Sequence, residues 1–374
     1  MSNKKLGFGL MRLPQAGEGW SAPVDTEVLN QMVDTFIERG FTYFDTALMY
    51  NGGQSEAAVK TCLVDRHPRE SFTLATKLHY GFFNTLEERD TVFAGQLEKC
   101  GVEYFDYYLL HDINSHSIDK FNSLDCFSWI IEKKAQGLAK HIGFSFHDGP
   151  ELLDEILTAH PEMEFVQLQI NYLDWDSAGV QSRACYEVAT KHGKPVIVME
   201  PVKGGTLARV PAAVETLFKS ANPEASVPSW AIRFAAGLEN VMMVLSGMSN
   251  MEQLLDNTSY MQELQPLTEA EQAVIAKAVD TINANIAIPC TGCDYCAEGC
   301  PMNIPISRYF ALYNDEKKEA ADKPWTSNGT YYENLAKTHG KASDCVACGQ
   351  CEGVCPQHLP IIEHLQTVAA HFER

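Results

Sequence analysis

The sequence predicts an α/β fold in which a parallel (β/α)8 barrel is followed by a small C-terminal domain. The first observation is that short apolar runs alternate eight times with stretches of helical periodicity. The second is that the apolar runs are nearly continuous, which is typical of parallel strands buried on both faces. The third is that no G-x-G-x-x-G pattern follows the first run, because Gly7 and Gly9 stand inside it. This absence disfavours an open, doubly wound sheet.

The predicted elements follow from β-branched and aromatic runs for strands and from apolar spacing for helices. The candidate strands are Leu6–Leu10, Tyr43–Thr46, Phe72–Leu78, Phe105–Leu110, Lys140–Phe146, Phe165–Ile170, Pro195–Glu200 and Val241–Ser246. The clearest helices are Thr26–Arg39, Leu86–Cys100, Phe121–Gln136 and Ala178–His192. With 374 residues, 45% of them hydrophobic, the chain is long enough for one large domain and a small one.

A domain boundary is predicted near Leu267. Thr268 and Glu271 have the spacing of a capping box, so a helix should start there and run to about Asn285. The barrel is therefore assigned to residues 1–267, a connecting helix to 268–285 and a small domain to 286–374. A polar segment is expected at 315–328 and an apolar helix at 361–372.

Eight of the twelve cysteines form two copies of the spacing C-x-x-C-x-x-C-x-x-x-C-P. This run holds four-iron clusters in bacterial ferredoxins, so residues 286–374 are predicted to be a ferredoxin-like domain with two 4Fe-4S clusters. The alternatives are a structural zinc site, which usually has paired C-x-x-C knuckles with a longer gap, and a disulfide framework. The two copies are Cys290, Cys293, Cys296, Cys300 and Cys345, Cys348, Cys351, Cys355.

The two runs are expected to exchange ligands, because in two-cluster ferredoxins the fourth cysteine of each run binds the other cluster. One cluster would take Cys355 with the first three cysteines of the earlier run. The other would take Cys300 with the first three of the later run.

Charge and composition limit the classes of partner. The formal charge is −20, from 29 Lys and Arg against 49 Asp and Glu. Such an acidic chain is a poor candidate for binding nucleic acid or an anionic membrane, whereas a basic redox partner protein is compatible with it. No secretory signal and no membrane span is expected. Because thiolates that await iron need a reducing compartment, we expect a cytoplasmic location.

Four polar side chains are predicted at the carboxyl ends of strands two to four, where such barrels carry their chemistry. Asp45, Lys77 and His111 end these strands, and Tyr50 follows the first of them. Carbonyl reduction by hydride needs an acid for the developing alkoxide, and a phenol of pKa about 10 is weak unless a cation lowers its pKa. Lys77 is therefore expected to assist Tyr50, with Asp45 holding Lys77 charged. His111 would orient the substrate oxygen or share its proton.

The stretch from Phe44 to Tyr50 reads F-D-T-A-L-M-Y and resembles the F-D-T-A-x-x-Y motif of the aldo-keto reductase family. The resemblance covers roughly Leu6 to Leu264. Together with the cysteine runs, it indicates the subgroup that has a C-terminal ferredoxin-type 4Fe-4S domain. It implies a (β/α)8 barrel, an NADP or NAD cofactor and the reduction of a carbonyl-type small molecule.

The resemblance also implies contacts to the nicotinamide half of the cofactor. Ser145 and Gln167 match the pair that holds the carboxamide, and Met199 stands where many members place an aromatic side chain against the ring. The pyrophosphate would be wrapped by a loop that includes Pro201, Gly204 and Gly205.

On the adenosine side, the matching positions are Gly247, Ser249, Gln253 and Asn257. Members specialised for the 2′-phosphate often carry Lys and Arg in place of Gly247 and Gln253, so the choice between NADP and NAD is open. Lys203 is a candidate replacement for these cations.

Further side chains are expected near the substrate. His147 and Asp112 lie at strand ends and are candidates for substrate contact. The mouth is expected to be aromatic, lined by Trp20, Tyr80, Phe82, Phe83 and Trp175.

Two functions remain open on the sequence. The first is an NAD(P)H-dependent reductase of a carbonyl-type substrate, with an attached iron-sulfur domain. The second is an electron-transfer or partner-docking protein whose barrel only binds a nicotinamide or flavin cofactor. Hydride carries two electrons and each cluster transfers one, so a flavin, bound here or on a partner, would couple them, but the sequence has no clear flavin fingerprint. The clusters would serve electron transfer if they are coupled to the barrel, and a structural or redox-sensing role if they are not. The complete set of four polar residues favours the enzyme.

Overall fold

The computed structural model describes residues 4–17, 22–177, 179–284, 287–290, 292, 295–318, 326–355 and 358–373. Within them, parallel strands follow one another around a closed barrel, and the first strand pairs with the last. This confirms the predicted barrel. The strands are β1 Leu6–Gly9, β2 Tyr43–Asp45, β3 Thr73–His79, β4 Phe105–Ile113, β5 Ala139–Phe146, β6 Phe165–Gln169, β7 Val196–Met199 and β8 Val241–Ser246.

Helices surround the barrel and continue into the C-terminal part of the chain. The helices up to the end of the connecting helix are α1 Thr26–Glu38, α2 Tyr50–Gly53, α3 Ser55–Val59, α4 Leu86–Cys100, α5 Ile118–Ser123, α6 Cys126–Ala135, α7 Pro150–Ala159, α8 Ser182–Lys191, α9 Ala212–Ala221, α10 Val227–Ala236, α11 Met251–Met261 and α12 Glu269–Asn283. Those that follow are α13 Tyr295–Glu298, α14 Ile306–Lys317, α15 Ser327–Thr338, α16 Gln350–Val354 and α17 Ile361–Phe372.

The largest difference from the predicted strands is at the end of β4. It runs to Ile113, three residues past the predicted end, because the β4–β5 ladder shifts register between Leu110 and Ile113. Asp112 lies within this shift and has a φ of 62°, in the left-handed region. The irregularity therefore directs the residues at the end of β4 toward the barrel rim.

Two helix predictions are wrong in their extent. Residues 121–136 form parts of two helices, α5 and α6, because Asp125 between them has a φ of 49°. The predicted helix from Ala178 starts only at Ser182, after Gln181 at a φ of 56°. Ala178 itself lies outside the described residues. Left-handed positions of this kind are not visible in apolar spacing, which is the reason for both errors.

The capping box that opens the connecting helix is confirmed. Thr268 accepts a hydrogen bond from the Glu271 amide, and the Glu271 side chain accepts one from the Thr268 amide. The helix ends at Asn283, and its predicted last residue, Asn285, lies outside the described residues. Arg233 of α10 donates to the Glu271 carboxylate, which ties α12 to the barrel.

The barrel has one apolar layer inside the strands and one between strands and helices. The inner layer contains Tyr43, Phe165 and Leu245, all buried. Gly143 faces it, and a Cβ at this position would come within 2.4 Å of the Phe165 carbonyl oxygen. Only glycine therefore fits there. The outer layer is the larger core of the protein.

The C-terminal part has a separate apolar core built from α14, α15 and α17. The predicted helix at 361–372 is confirmed as part of this core. The polar segment predicted at 315–328 is partly helical, and its ends Asp315 and Asn328 are buried. Asp315 accepts a hydrogen bond from the Ser177 hydroxyl of the barrel at 2.6 Å. In the part of the chain that the structure describes, no helix is long and apolar enough to cross a membrane.

Candidate active site and iron-sulfur centre

Lys77 lies at the centre of a buried cluster of polar side chains in the barrel. Its Nζ donates to the Asp45 Oδ1 at 2.5 Å, to the Thr46 carbonyl oxygen at 2.8 Å and to the Tyr50 hydroxyl at 3.2 Å. Lys77 is fully buried. The three protons of the ammonium group thus have three acceptors, and the predicted Asp45, Tyr50 and Lys77 lie together.

The strand register explains this arrangement. Asp45, the last residue of β2, pairs with Ala75 of β3, and Lys77 lies two residues further along the same face of β3. Tyr50 begins α2, and Asn51 after it has a φ of 51°. This turn brings the phenol back over the strand ends.

The electrostatics keep the lysine charged and the tyrosine protonated. Burial raises the pKa of the Asp45 carboxyl, and Lys77 opposes this increase. Burial alone would lower the pKa of Lys77, but Asp45 and Tyr50 raise it above its ordinary value. Burial raises the pKa of Tyr50, and the nearby Lys77 only partly offsets the effect. Lys77 therefore lowers the pKa of the Tyr50 phenol, as the sequence predicts, although burial has the larger effect.

His111 completes the predicted set of four. Its ring centroid lies 5.9 Å from that of Tyr50 and 5.2 Å from that of His79. Burial lowers the pKa of His111 well below its ordinary value, so the imidazole is neutral at neutral pH. Its Nδ1 has no hydrogen-bond partner among the described residues. A neutral imidazole with a free nitrogen can bind a substrate oxygen.

A cleft of about 330 Å³ begins beside Asp45 and Tyr50 and runs to α11. Its wall includes Gly205, at a φ of 99° and with open space where a Cβ would lie. A glycine in this conformation lets a ligand approach the backbone closely, because no side chain fills the space. The predicted cofactor contacts that line the cleft are Gln167, Met199, Pro201, Gly204, Gly205, Gly247, Ser249, Gln253 and Asn257.

Ser145 is the one predicted cofactor contact that does not line this cleft. It is buried beside Gln167 in the β5–β6 ladder, and its hydroxyl oxygen accepts a hydrogen bond from the Asp112 amide at 2.8 Å. Its role at the nicotinamide therefore stays a prediction.

The suggestion that Lys203 replaces the missing cations is wrong. Lys203 is buried, and its Nζ donates to Asp174 Oδ1 at 2.6 Å. Asp174 also accepts from the side-chain amides of Gln169 and Asn171. This network supports the loop from beneath and holds the ammonium group away from the cleft.

Two arginines of the cleft, Arg12 and Arg209, were missed in the sequence. The side-chain carbons of Arg12 lie 3.7 to 3.9 Å from the position that a Cβ of Gly247 would take. The carbonyl oxygen of Arg12 accepts a hydrogen bond from the Ser249 hydroxyl at 2.9 Å. Arg12 follows β1 closely in the chain, and this position after a strand end is the feature from which its place at the rim could have been predicted.

Six described cysteines of the two runs lie in or against the C-terminal apolar core, namely Cys290, Cys296, Cys300, Cys345, Cys351 and Cys355. Cys300 lines one small cavity together with Cys345, Cys348 and Cys351. Apolar side chains such as Ile304 and Leu365 form the rest of its wall. Among the described residues, no three His, Cys, Asp or Glu side chains are arranged as ligands of a single metal ion. The donor set of this cavity, four soft thiols in an apolar pocket, fits an iron-sulfur group.

The earlier run is described only in part. Cys293 lies outside the described residues, while Cys296 is buried and Cys290 lines a larger cavity of about 720 Å³ beside the barrel. Cys355 packs against the same apolar core as these cysteines.

The predicted aromatic mouth is formed only in part. Tyr80 stacks on His79 with ring centroids 4.4 Å apart. Phe83 is fully buried and packs on Phe121, so it belongs to the core. Trp175 packs on the outer helices, 5.7 Å from the Phe234 ring. Phe82 is exposed, and Trp20 lies outside the described residues.

Two family models match the chain. The aldo/keto reductase family matches residues 5–280, and a 4Fe-4S dicluster domain matches residues 289–359. The first match includes the barrel and most of the connecting helix. The second contains the two cysteine runs.

Several individual proteins are similar to the chain at low identity. An uncharacterized oxidoreductase of Schizosaccharomyces pombe is 25% identical over 267 residues, which is 68% of this chain and 80% of that protein. The NADH-specific methylglyoxal reductase of Escherichia coli is 24% identical over 46% of this chain, and the match spans 56% of that protein. The holo form of an aldo-keto reductase from Bacillus halodurans superposes with a TM-score of 0.59 at 24% identity, covering 73% of this chain and 91% of that structure. The chain therefore belongs to the aldo/keto reductase family of NAD(P)-dependent oxidoreductases and carries a 4Fe-4S dicluster domain after its barrel.

Proposed function

We propose that this protein reduces a carbonyl-type small molecule with NADPH, using Tyr50 as the proton donor. The observation that carries the proposal is the hydrogen bond from the buried Lys77 ammonium group to the Tyr50 hydroxyl at 3.2 Å. A charged lysine at this distance stabilises a phenolate, so its effect is largest when the proton leaves the tyrosine.

The mechanism assigns each side chain one task. The reduced nicotinamide ring of NADPH, when bound, would supply the hydride to the carbonyl carbon. The Tyr50 hydroxyl donates its proton to the oxygen of the same carbonyl, and Lys77 stabilises the phenolate that this transfer leaves. Asp45 holds Lys77 charged and in place. His111, which is neutral, binds the substrate oxygen through a ring nitrogen.

The cleft supports a dinucleotide of the NADP type. The loop at Gly205 has open space beside its backbone and no side chain in the way, so a pyrophosphate can approach it closely. At the far end, α11 begins after Asn250 and adds the positive end of its dipole. Arg12 lies beside Gly247, where a family member specialised for the 2′-phosphate would carry its own cation. Arg12 is therefore the group that would recognise the 2′-phosphate.

We also assign two 4Fe-4S clusters with exchanged fourth ligands to the C-terminal domain. Cys300 lies in the cavity of the later run, which supports its assignment to that cluster. Cys355 would complete the cluster of the earlier run by the same rule. The division into a barrel at 1–267, a connecting helix at 268–285 and an iron-sulfur domain at 286–374 belongs to this proposal.

The test uses anaerobically purified protein and follows the oxidation of NADPH with methylglyoxal and 4-nitrobenzaldehyde as carbonyl probes. Tyr50→Phe should lower kcat by a factor of about 10² to 10⁴, the usual effect of a positioned acid, while the Kd for NADPH stays the same. Tyr43→Phe is the matched control, because the Tyr43 hydroxyl is also buried in the barrel but has no hydrogen-bond partner among the described residues. Equal turnover in Tyr50→Phe and Tyr43→Phe would contradict the proposed role.

A further inference from the structure

Helix α15 of the C-terminal domain lies against the rim of the barrel where β5 ends. Asn334 on this helix donates a hydrogen bond to the carbonyl oxygen of His147, which directly follows β5. The ring of Tyr331 contacts the His147 imidazole in a tilted arrangement, with centroids 5.9 Å apart. Tyr331 and Asn334 are three residues apart and share one face of the helix. That face meets the barrel.

Tyr331 is buried, and carboxylates of the barrel act on its hydroxyl electrostatically. Burial raises its pKa well above the ordinary value, and Asp174, Asp148 and Asp112 raise it further. Asp174 follows β6, and Asp148 follows β5. Asp112 lies in the irregular end of β4. Tyr331 is 4% exposed, and because its pKa is raised, its hydroxyl is protonated at neutral pH. It can therefore donate a hydrogen bond.

His147 connects this position with the proposed chemistry. It lies two residues after Ser145, so both side chains project from the same face of the chain as it leaves β5. The His147 amide donates a hydrogen bond at 3.0 Å to the carbonyl oxygen of Ile113, two residues after His111, so the two histidines lie at adjacent strand ends. The Nδ1 of His147, like that of His111, is buried without a hydrogen-bond partner among the described residues. The region between Tyr50 and Tyr331 thus holds unpaired polar atoms.

We propose that Tyr331, supplied by the iron-sulfur domain, is a substrate-binding residue of the barrel site and donates a hydrogen bond to a neutral acceptor on the substrate, remote from the reacting carbonyl. This inference rests on the proposed function. The three carboxylates around Tyr331 disfavour an anionic group at this point. The substrate class is therefore an aldehyde or ketone with a second, uncharged acceptor, such as a nitro, ether or carbonyl oxygen.

A purely structural role for Tyr331 makes a different prediction. If the ring only joins the two domains, Tyr331→Phe keeps the contact with His147 and changes little. If the hydroxyl binds substrate, the same change removes one hydrogen bond, which is equivalent to about a two- to ten-fold loss of affinity. Tyr332→Phe is the matched control, because the hydroxyl of Tyr332 bonds within the C-terminal domain, to Glu373 and the Ala342 amide.

The experiment compares three probes: 4-nitrobenzaldehyde, benzaldehyde and 4-carboxybenzaldehyde. In Tyr331→Phe, KM for 4-nitrobenzaldehyde should rise about two- to ten-fold, whereas KM for benzaldehyde and the iron content per chain stay unchanged. The wild-type protein should use 4-carboxybenzaldehyde poorly. Tyr332→Phe should leave all three KM values as they are. Unchanged KM for 4-nitrobenzaldehyde in Tyr331→Phe overturns the inference and leaves the proposed function standing.

A binding measurement keeps the inference independent of turnover. 4-Nitrobenzyl alcohol, the reduced form of the probe, is titrated into the protein saturated with NADP⁺. Its Kd should rise about two- to ten-fold in Tyr331→Phe and stay constant in Tyr332→Phe. If no aldehyde is turned over by the wild type, the proposed function fails, and this titration still decides the role of Tyr331. Equal Kd values in wild type and Tyr331→Phe, or no binding to either, overturn the inference.

Discussion

Lys77→Met separates the catalytic role of the buried cluster of polar side chains from its structural role. Methionine has a similar length and volume but lacks the charge and the three donors of lysine. In the folded protein those donors reach Asp45, the Thr46 carbonyl oxygen and Tyr50. The substitution therefore removes the cation from Tyr50 and leaves the Asp45 carboxylate unpaired.

The two effects have separate magnitudes. At 3.2 Å and an effective dielectric constant of about 20, a lysine cation stabilises a phenolate by about 5 kcal/mol, and part of this is available in the transition state. We therefore expect kcat to fall by a factor of about 10² to 10⁴. Loss of one partner from a buried ion pair lowers the free energy of unfolding by about 3 to 5 kcal/mol. Protonation of Asp45, whose pKa burial already raises, offsets part of this loss.

The double variant Asp45→Asn with Lys77→Met distinguishes the two effects. Without a carboxylate to leave unpaired, it should recover most of the free energy of unfolding, measured by urea denaturation under anaerobic conditions. Its kcat should remain as low as that of Lys77→Met, because the cation is still absent. Recovery of turnover together with stability would refute the reasoning, since Lys77 would then act only through folding.

Three more outcomes are expected. Anaerobic protein should contain about eight iron atoms per chain. Cys300→Ala should disturb the cluster of the later run, whereas Cys355→Ala should disturb the cluster of the earlier run. If magnetic resonance showed that each variant loses the cluster of its own run, the exchange of fourth ligands would be contradicted. Arg12→Met should raise the Kd for NADPH more than the Kd for NADH, and an equal rise for both would remove Arg12 from 2′-phosphate recognition. Burial lowers the pKa of both His111 and His147, which titrate near 6.5 in the unfolded chain. Below that pH the unfolded state takes up protons that the folded state does not, so the free energy of unfolding should fall by up to about 1.4 kcal/mol per pH unit for each histidine. Denaturation curves between about pH 7.5 and pH 5 would show this dependence of the free energy of unfolding on pH. The double variant His111→Gln with His147→Gln should have a smaller dependence.

The barrel was predictable because each strand is an apolar run that ends in a recognisable polar signal. Asp45 and Lys77 could be placed together, since consecutive parallel strands bring their carboxyl ends to one rim. The capping box of Thr268 and Glu271 likewise depends only on local spacing. Such features need no knowledge of distant contacts.

Other features depend on long-range packing and left no local signal. The break between α5 and α6 requires a left-handed Asp125, which aspartate tolerates but does not demand. The buried pair of Lys203 and Asp174 is formed by residues 29 positions apart. The approach of Tyr331 to His147 joins residues much further apart in the chain. No spacing rule relates these positions, so their roles appeared only with the fold.

The position of Cys300 has a consequence for the biosynthesis of the protein. It precedes α14 and α15 in the chain, yet it lines the cavity of the cysteines that follow them. A growing chain that has passed Cys300 but not yet reached Cys351 holds no complete set of four thiols in that cavity. The barrel strands, by contrast, are all present once Ser246 has been added. The four thiols of that cavity are therefore complete only after Cys351 has been added, later in synthesis than every strand of the barrel.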